Sequence, residues 1–348
     1  MQNNLKKPLL ILLSILGLVI TISCCLGSVN IGFSSFLSIV SNQIGFSTSI
    51  NFTPQQQAVL VALRLPRVCL GVFIGAGLGI SGAAMQGLFR NPLAEPGLIG
   101  IQSGAALFAV MMIVLQVKVF TQLTSLLGYY ALAIAAFTGA CITTFLVYRL
   151  AIQNGKTVIT TLLLSGIAIN ALAGSFTGLL TYMATDEQLR SITFWSLGSL
   201  GGASWQTLGC LFPFIAIPVF VLPFFAKALN AIALGEAQAS HLGINVGFTK
   251  KIIIVLATMA VGASVAVAGI IGFIGLIIPH ILRMACGADN KIIIPASAIL
   301  GAAVLTLADL VSRTIVAPTE LPIGIITALI GTPVFIYIIN SQRKKNYQ

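Results

Sequence analysis

The chain has 348 residues, of which 57% are hydrophobic and only 7% charged, and its mean hydropathy is +1.05. That composition excludes an ordinary soluble domain and marks an all-α, polytopic membrane protein, because a bilayer core of about 30 Å takes about 20 apolar residues per helix. The net charge of +11 gives no argument for nucleic acid, since basic residues beside apolar helices follow from the orientation bias of membrane insertion.

Charge-free runs define the predicted spans in chain order. Residues 8–26 form the first, read as retained rather than cleaved: the run exceeds a signal-peptide core of about 7–15 residues, and no A-x-A site follows. Residues 68–89, 96–117, 119–148, 157–182 and 191–226 supply the next five. The uncharged run 252–282 is broken by Gly269, Gly272, Gly275 and Pro279, so it divides into a seventh span and a short eighth. Residues 292–310 and 321–342 complete ten transmembrane helices. The polar stretches 28–57 and 227–251 are read as loops between spans, so residues 1–348 form a single transmembrane domain. With the N-terminus inside, thirteen of the eighteen basic residues fall on the inner side, and only Arg64, Arg67, Lys118, Arg190 and Arg313 lie outside. That bias and the even helix count place both termini in the cytoplasm, with 227–251 as a cytoplasmic loop.

Small residues such as Gly71, Gly75, Gly79 and Gly82 let helices approach closely in lipid. Small-residue stretches at 75–82 and 262–269, five spans apart and opposite in direction, suggest an inverted repeat. The six cysteines are scattered through apolar segments without metal-ligand spacing and read as small core residues.

Several motifs invite chemistry. Gly155-Lys156-Thr157 ends like a phosphate loop, but position 150 is Leu150 where that motif needs glycine, so nucleotide binding is rejected. Arg64-Leu65-Pro66-Arg67 stands at the predicted outer entrance of the second span. Its guanidiniums could snorkel to the lipid interface or meet a partner, and Arg313 and Glu320, flanking an outer turn, share that ambiguity. In Asn91-Pro92-Leu93-Ala94-Glu95-Pro96-Gly97, Glu95 could cap the next helix. Leu234 to Gly243 reads as a short amphipathic helix in which Leu234, Ala237, His241 and Leu242 share a face, either a solvated loop or a docking element. Glu236 is expected to be exposed there, free of core packing. His241 and His280 lack ligand partners, so neither a metal nor another cofactor is expected. With no nucleophile or metal constellation, an enzyme is not indicated. An ion-coupled secondary carrier would want ionisable groups within its spans, and only Asp309 qualifies.

Arg64-Leu65-Pro66-Arg67, Ser81-Gly82-Ala83-Ala84-Met85-Gln86, the 91–97 turn, Leu234-Gly235-Glu236, Gly275-Leu276-Ile277-Ile278-Pro279-His280 and Glu320-Leu321-Pro322-Ile323-Gly324 occur in one order from about residue 59 to 339. Together they resemble the FecCD family, the permeases of ABC importers for iron siderophores, haem and cobalamin. The resemblance implies the type II importer fold and a homodimer in the bacterial inner membrane. It also implies a cytoplasmic ATP-binding subunit that does the hydrolysis and a periplasmic substrate-binding protein. It assigns Arg64, Arg67 and Arg313 to binding-protein docking, and Leu234, Gly235, Glu236, Ala237, His241, Leu242 and Gly243 to ATPase coupling. Residues 164–174, 180–182 and 189–200 look most like haem permeases, with ferric siderophore and cobalamin permeases as alternatives. By the same resemblance Asn170, Gly174, Thr177 and Tyr182 line the translocation pathway.

Overall fold

Among the described residues of the computed structural model, 3–46, 51–115 and 127–346, seven helices are long and apolar enough to cross a membrane. Three shorter apolar helices, Ile101–Leu115, Ile274–Cys286 and Ile323–Tyr337, bring the set to the predicted ten. Lys118 and the predicted boundaries at 117 and 119 lie outside the described residues. In chain order the elements are α1 (Asn3–Cys25), α2 (Phe33–Gln43), α3 (Pro54–Phe89), α4 (Ile101–Leu115), α5 (Ala131–Leu150), α6 (Ile159–Tyr182) and α7 (Asp186–Leu197). They continue as α8 (Trp205–Val221), α9 (Ala226–Leu234), α10 (Glu236–His241), α11 (Val246–Ala268), α12 (Ile274–Cys286), α13 (Asn290–Thr314) and α14 (Ile323–Asn346). The strands β1 (Ile152–Gln153) and β2 (Lys156–Thr157) form an antiparallel hairpin between α5 and α6.

Three boundaries depart from the charge-free runs, each for a physical reason. Helix α3 begins at Pro54 rather than near residue 68. A capping box starts it, with Thr53 accepting from the Gln56 amide and Gln56 accepting from the Thr53 amide. It then passes through a π-helical turn, Val59–Arg64, just ahead of Pro66, whose missing amide cannot continue the α ladder. Arg64 and Arg67 therefore sit inside the helix and not at its entrance. The stretch 28–57 contains α2, whose apolar period is diluted by serines. The predicted sixth span from 191 is two helices. Helix α7 opens on a Thr185–Gln188 capping box and ends at Gly198 with φ +73°, and the spanning helix starts only at Trp205, capped by Ser204. A run without charge carries no internal boundary marks; the caps and glycines do.

Helix α3 lies at the centre, packed on α13, α11, α12 and α8. Its small residues set the spacing. A Cβ on Gly75 would strike the carbonyl of Gly301, one on Gly79 that of Ser297, and one on Gly82 that of Gly275, so α13 and α12 approach α3 backbone to backbone. After α3 the chain turns through 91–97 into a 3₁₀ turn, Pro96–Ile99; Glu95 precedes it, but its side chain makes no cap hydrogen bond.

Candidate functional site

The C-terminal ends of α1 and α13 meet the first half of α3 in a cluster of charge. Arg67 donates from Nε and Nη2 to Asp309 Oδ1 at 3.0 and 2.9 Å, and from Nη1 and Nη2 to Glu320 Oε1 and Oε2 at 2.7 and 2.9 Å. Asp309 is only 2% exposed, whereas Glu320 faces solvent. The Arg67 fork holds the Glu320 carboxyl below its usual range. Arg313, one turn beyond Asp309, places Nε 3.7 Å from Asp309 Oδ2.

Arg64 and Arg313 also close the end of α1. Arg64 Nη1 donates to the carbonyls of Cys24 and Cys25 at 2.8 and 2.9 Å, and Nη2 to that of Val29. Arg313 donates to the carbonyls of Ser23 and Leu26. Two cations thus satisfy the last-turn carbonyls that a helix leaves without intrahelical partners, where the macrodipole favours positive charge. Snorkelling is overturned, because the buried Arg64 points into the protein. All three arginines proposed for docking are engaged within this chain. Asp309, the partner of Arg67 and Arg313, stands out in the sequence only as a lone ionisable residue in a span; its i,i+4 spacing to Arg313 is the available signal.

At the opposite end of the helices, the short helix α10 is fastened by an ion pair. Lys250, in the second turn of α11, is 3% exposed and donates to Glu236 Oε2 at 2.7 Å and to the carbonyl of Thr157 at 2.8 Å. The expectation that Glu236 is free of core packing is therefore corrected. Gly235, with φ +133°, turns the chain so that the first residue of α10 faces back toward α11. Leu234, Ala237, His241 and Leu242 are all exposed and Ala239 is buried, but Gly235 divides the predicted single helix, so that Leu234 closes α9 and Leu242 lies just past α10. Gly243, with φ +80°, ends the element. On the neighbouring helix, Asn230 donates to Asp289 Oδ1 at 2.7 Å and accepts from the Asn290 side chain at 2.8 Å, tying α9 to the start of α13. Gly155 and Lys156 belong to the β1–β2 hairpin, whose Asn154-Gly155 loop has positive φ at both positions, as a two-residue hairpin turn requires.

Removing the counter-ion of the buried ammonium should cost more than removing the ammonium itself. Glu236→Ala is expected to lower stability by about 1–3 kcal/mol, and Lys250→Met by less, in thermal unfolding in detergent. Equal losses would show that the ammonium does not suffer from losing its counter-ion.

Helix α6 is the most open of the long helices beyond α1, with only Leu162, Gly166 and Ala173 buried. Asn170 is held inward, bonded to Ser103 and donating to the carbonyl of Gly97 at 3.2 Å, while Gly166 meets the carbonyl of Leu98. Gly174 has nothing within 4 Å of its Cβ position, and Thr177 donates to Ala173. Asn170, Gly174 and Thr177 share one face at i, i+4 and i+7, whereas the exposed Tyr182 lies about a third of a turn away.

Comparison with known proteins adds the following. The FecCD transport family matches residues 13–341. The chain is 42% identical over 345 residues to the hemin transport system permease protein HmuU of Yersinia pestis, covering 99% of each chain. It is 40% identical over 301 residues to the cobalamin import system permease protein BtuC of Halobacterium salinarum, covering 86% of this chain and 78% of that one. A solved ABC transporter chain in an inward-facing conformation superposes with a TM-score of 0.83 at 30% identity, covering 97% of this chain and 99% of the other.

Proposed function

Because the chain belongs to the FecCD transport family, as the non-catalytic, membrane-spanning permease of an ABC importer, we propose that it carries haem, or a related iron chelate, into the cytoplasm. The observation that supports haem is the 42% identity to a hemin permease along 99% of both chains. Cobalamin is the second reading, favoured by the 40% identity to a cobalamin permease. In this proposal both termini are cytoplasmic, the membrane is the bacterial inner membrane, and the outer cluster faces the periplasm.

The working assembly we propose is a homodimer. The exposed apolar face of α6, with Leu164, Ile167, Leu172 and Phe176 around the open Gly174 and Gly178, supports this. Asn170, Gly174, Thr177 and Tyr182 then border the pathway between the two copies. The exposed side chains of Leu234, at the end of α9, and of Ala237, His241 and Leu242, on and just past α10, suit a cleft of the ATP-binding subunit. Gly235 and Gly243 shape its ends, and Glu236 fixes it to α11. Docking of the substrate-binding protein falls to the outer rim of Arg64, Arg67 and Arg313. There the exposed Glu320–Arg67 pair is the part a partner's carboxylate could reach first.

The deciding experiment reconstitutes the chain with its ATP-binding and substrate-binding partners and compares uptake of haem, a ferric siderophore and cobalamin. Haem uptake well above the other two is expected; cobalamin uptake alone would transfer the proposal to the second reading. The isolated chain should hydrolyse no ATP and acquire turnover only with its partner subunit. Hydrolysis by the contaminant-free chain would overturn that division of labour.

A further inference from the structure

Helix α2 has two apolar faces, and the protein covers only one of them. Ile39 is buried in a small cluster with Cys24, Ile31, Leu60 and Val68, separate from the main core. On the opposite side Phe33 is 59% exposed and Leu37 is exposed; just past the helix end Ile44 and Phe46 are each 69% exposed. Phe33, Leu37 and Ile44 stand at i, i+4 and i+11, a single helical stripe. The patch is firmly held: the segment leading into α2 is fixed by Arg64 at the carbonyl of Val29, and by Gln56 donating to that of Asn30 at 3.2 Å.

Its depth follows from what it packs on. Cys24 lies in the last turn of α1 and Leu60 in the opening turns of α3, so α2 sits at the level where the spanning helices end. Below it, α1 presents the exposed Leu10, Ile11 and Leu18 on a helix apolar enough to span, and the exposed Leu26 follows just past its end, at the level of α2. No Asp, Glu, Lys or Arg occurs between Pro8 and Leu63, so the patch offers an electrostatically steered protein partner nothing to attract. Ser34, Asn42 and Gln43 give the helix a polar, exposed border. A partner that comes and goes would leave this apolar patch in water between encounters, whereas lipid is always present.

We propose that α2 lies in the bilayer interface, with Phe33, Leu37, Ile44 and Phe46 among the upper acyl-chain carbons of the lipid. The helix thereby anchors the end of α1 at a fixed depth. This contact needs only that the chain spans a membrane, so it stands apart from the choice of cargo.

The test places a tryptophan on the stripe, Leu37→Trp, with Phe46→Trp as a second variant in case the first perturbs packing. Each full-length protein is reconstituted alone into phosphatidylcholine vesicles, with unsubstituted protein supplying the background of Trp195 and Trp205. Brominated phosphatidylcholine should quench the added emission, most strongly when the bromines lie near the glycerol end of the acyl chain, and aqueous iodide should quench it little. Quenching by iodide instead would place the stripe in water. Quenching by neither reagent would mean that a second copy of the chain covers it; either result overturns the proposal.

Discussion

Asp309→Ala should be among the most damaging single substitutions in this protein, costing about 3–5 kcal/mol of stability. The carboxylate is almost wholly buried and stands between two guanidiniums, accepting from Arg67 at 2.9 Å and facing Arg313 at 3.7 Å. Without it, Arg67 keeps only Glu320, and two cations are left to repel each other in a poorly solvated site. Breaking a buried pair leaves an uncompensated charge, whereas replacing both partners with apolar residues of similar volume is often tolerated. Asp309→Leu combined with Arg67→Met should accordingly lose less than the sum of the two single changes. Unfolding in detergent, followed for both singles and the double, reads that coupling. Strictly additive losses would show that the buried carboxylate acts alone.

Gly82→Ala is the second large effect. Its new methyl would meet the carbonyl, carbon and Cα of Gly275, all backbone atoms that cannot rotate aside, so α12 must move away from α3. Overpacking of that kind costs about 1–3 kcal/mol, more than the helix propensity that alanine contributes. The control is the same substitution at Gly174, where a methyl meets open space. There alanine should leave stability unchanged or raise it by about 0.5–1 kcal/mol. Thermal unfolding of the two variants tests the contrast. If Gly174→Ala keeps the fold but slows uptake in the reconstituted transporter, the proposed pathway face of α6 gains direct support. A Gly82→Ala protein as stable as the unsubstituted one would mean that α3 and α12 can part at no cost.

The contrast also shows what a sequence like this makes legible. Eight charge-free runs, one of them split by glycines, and a ninth run carrying only Asp309 announce ten apolar helices because bilayer thickness imposes a length on each. Charge ceases to mark boundaries where it is neutralised inside the fold. Arg64 and Arg67 look like the end of a span only until Asp309 and the α1 carbonyls are found beside them. The exposure of Ala237, His241 and Leu242 is readable because residues on and just past one short helix obey a local period. The Glu236–Lys250 pair is not, since the glycine turn at 235 breaks that period and the ammonium's other acceptor, the Thr157 carbonyl, comes from a hairpin 93 residues earlier in the chain. Helix α2 is hidden in the sequence for a different reason: four serines between positions 33 and 43 resemble a linker in composition, although its apolar period is present.

The capping of α1 by Arg64 and Arg313 bears on how the chain is made. Helix α1 is synthesised well before α13, and one of the two cations that close it lies 290 residues downstream. At about 5–20 residues per second, the ribosome needs roughly 15–60 s to deliver that arginine. Until then Ser23 and Leu26 have no guanidinium at their carbonyls, and α1 is secured by Arg64 alone. Helix α1 is thus locked in place long after it is made, and its closure reports that α13 has arrived.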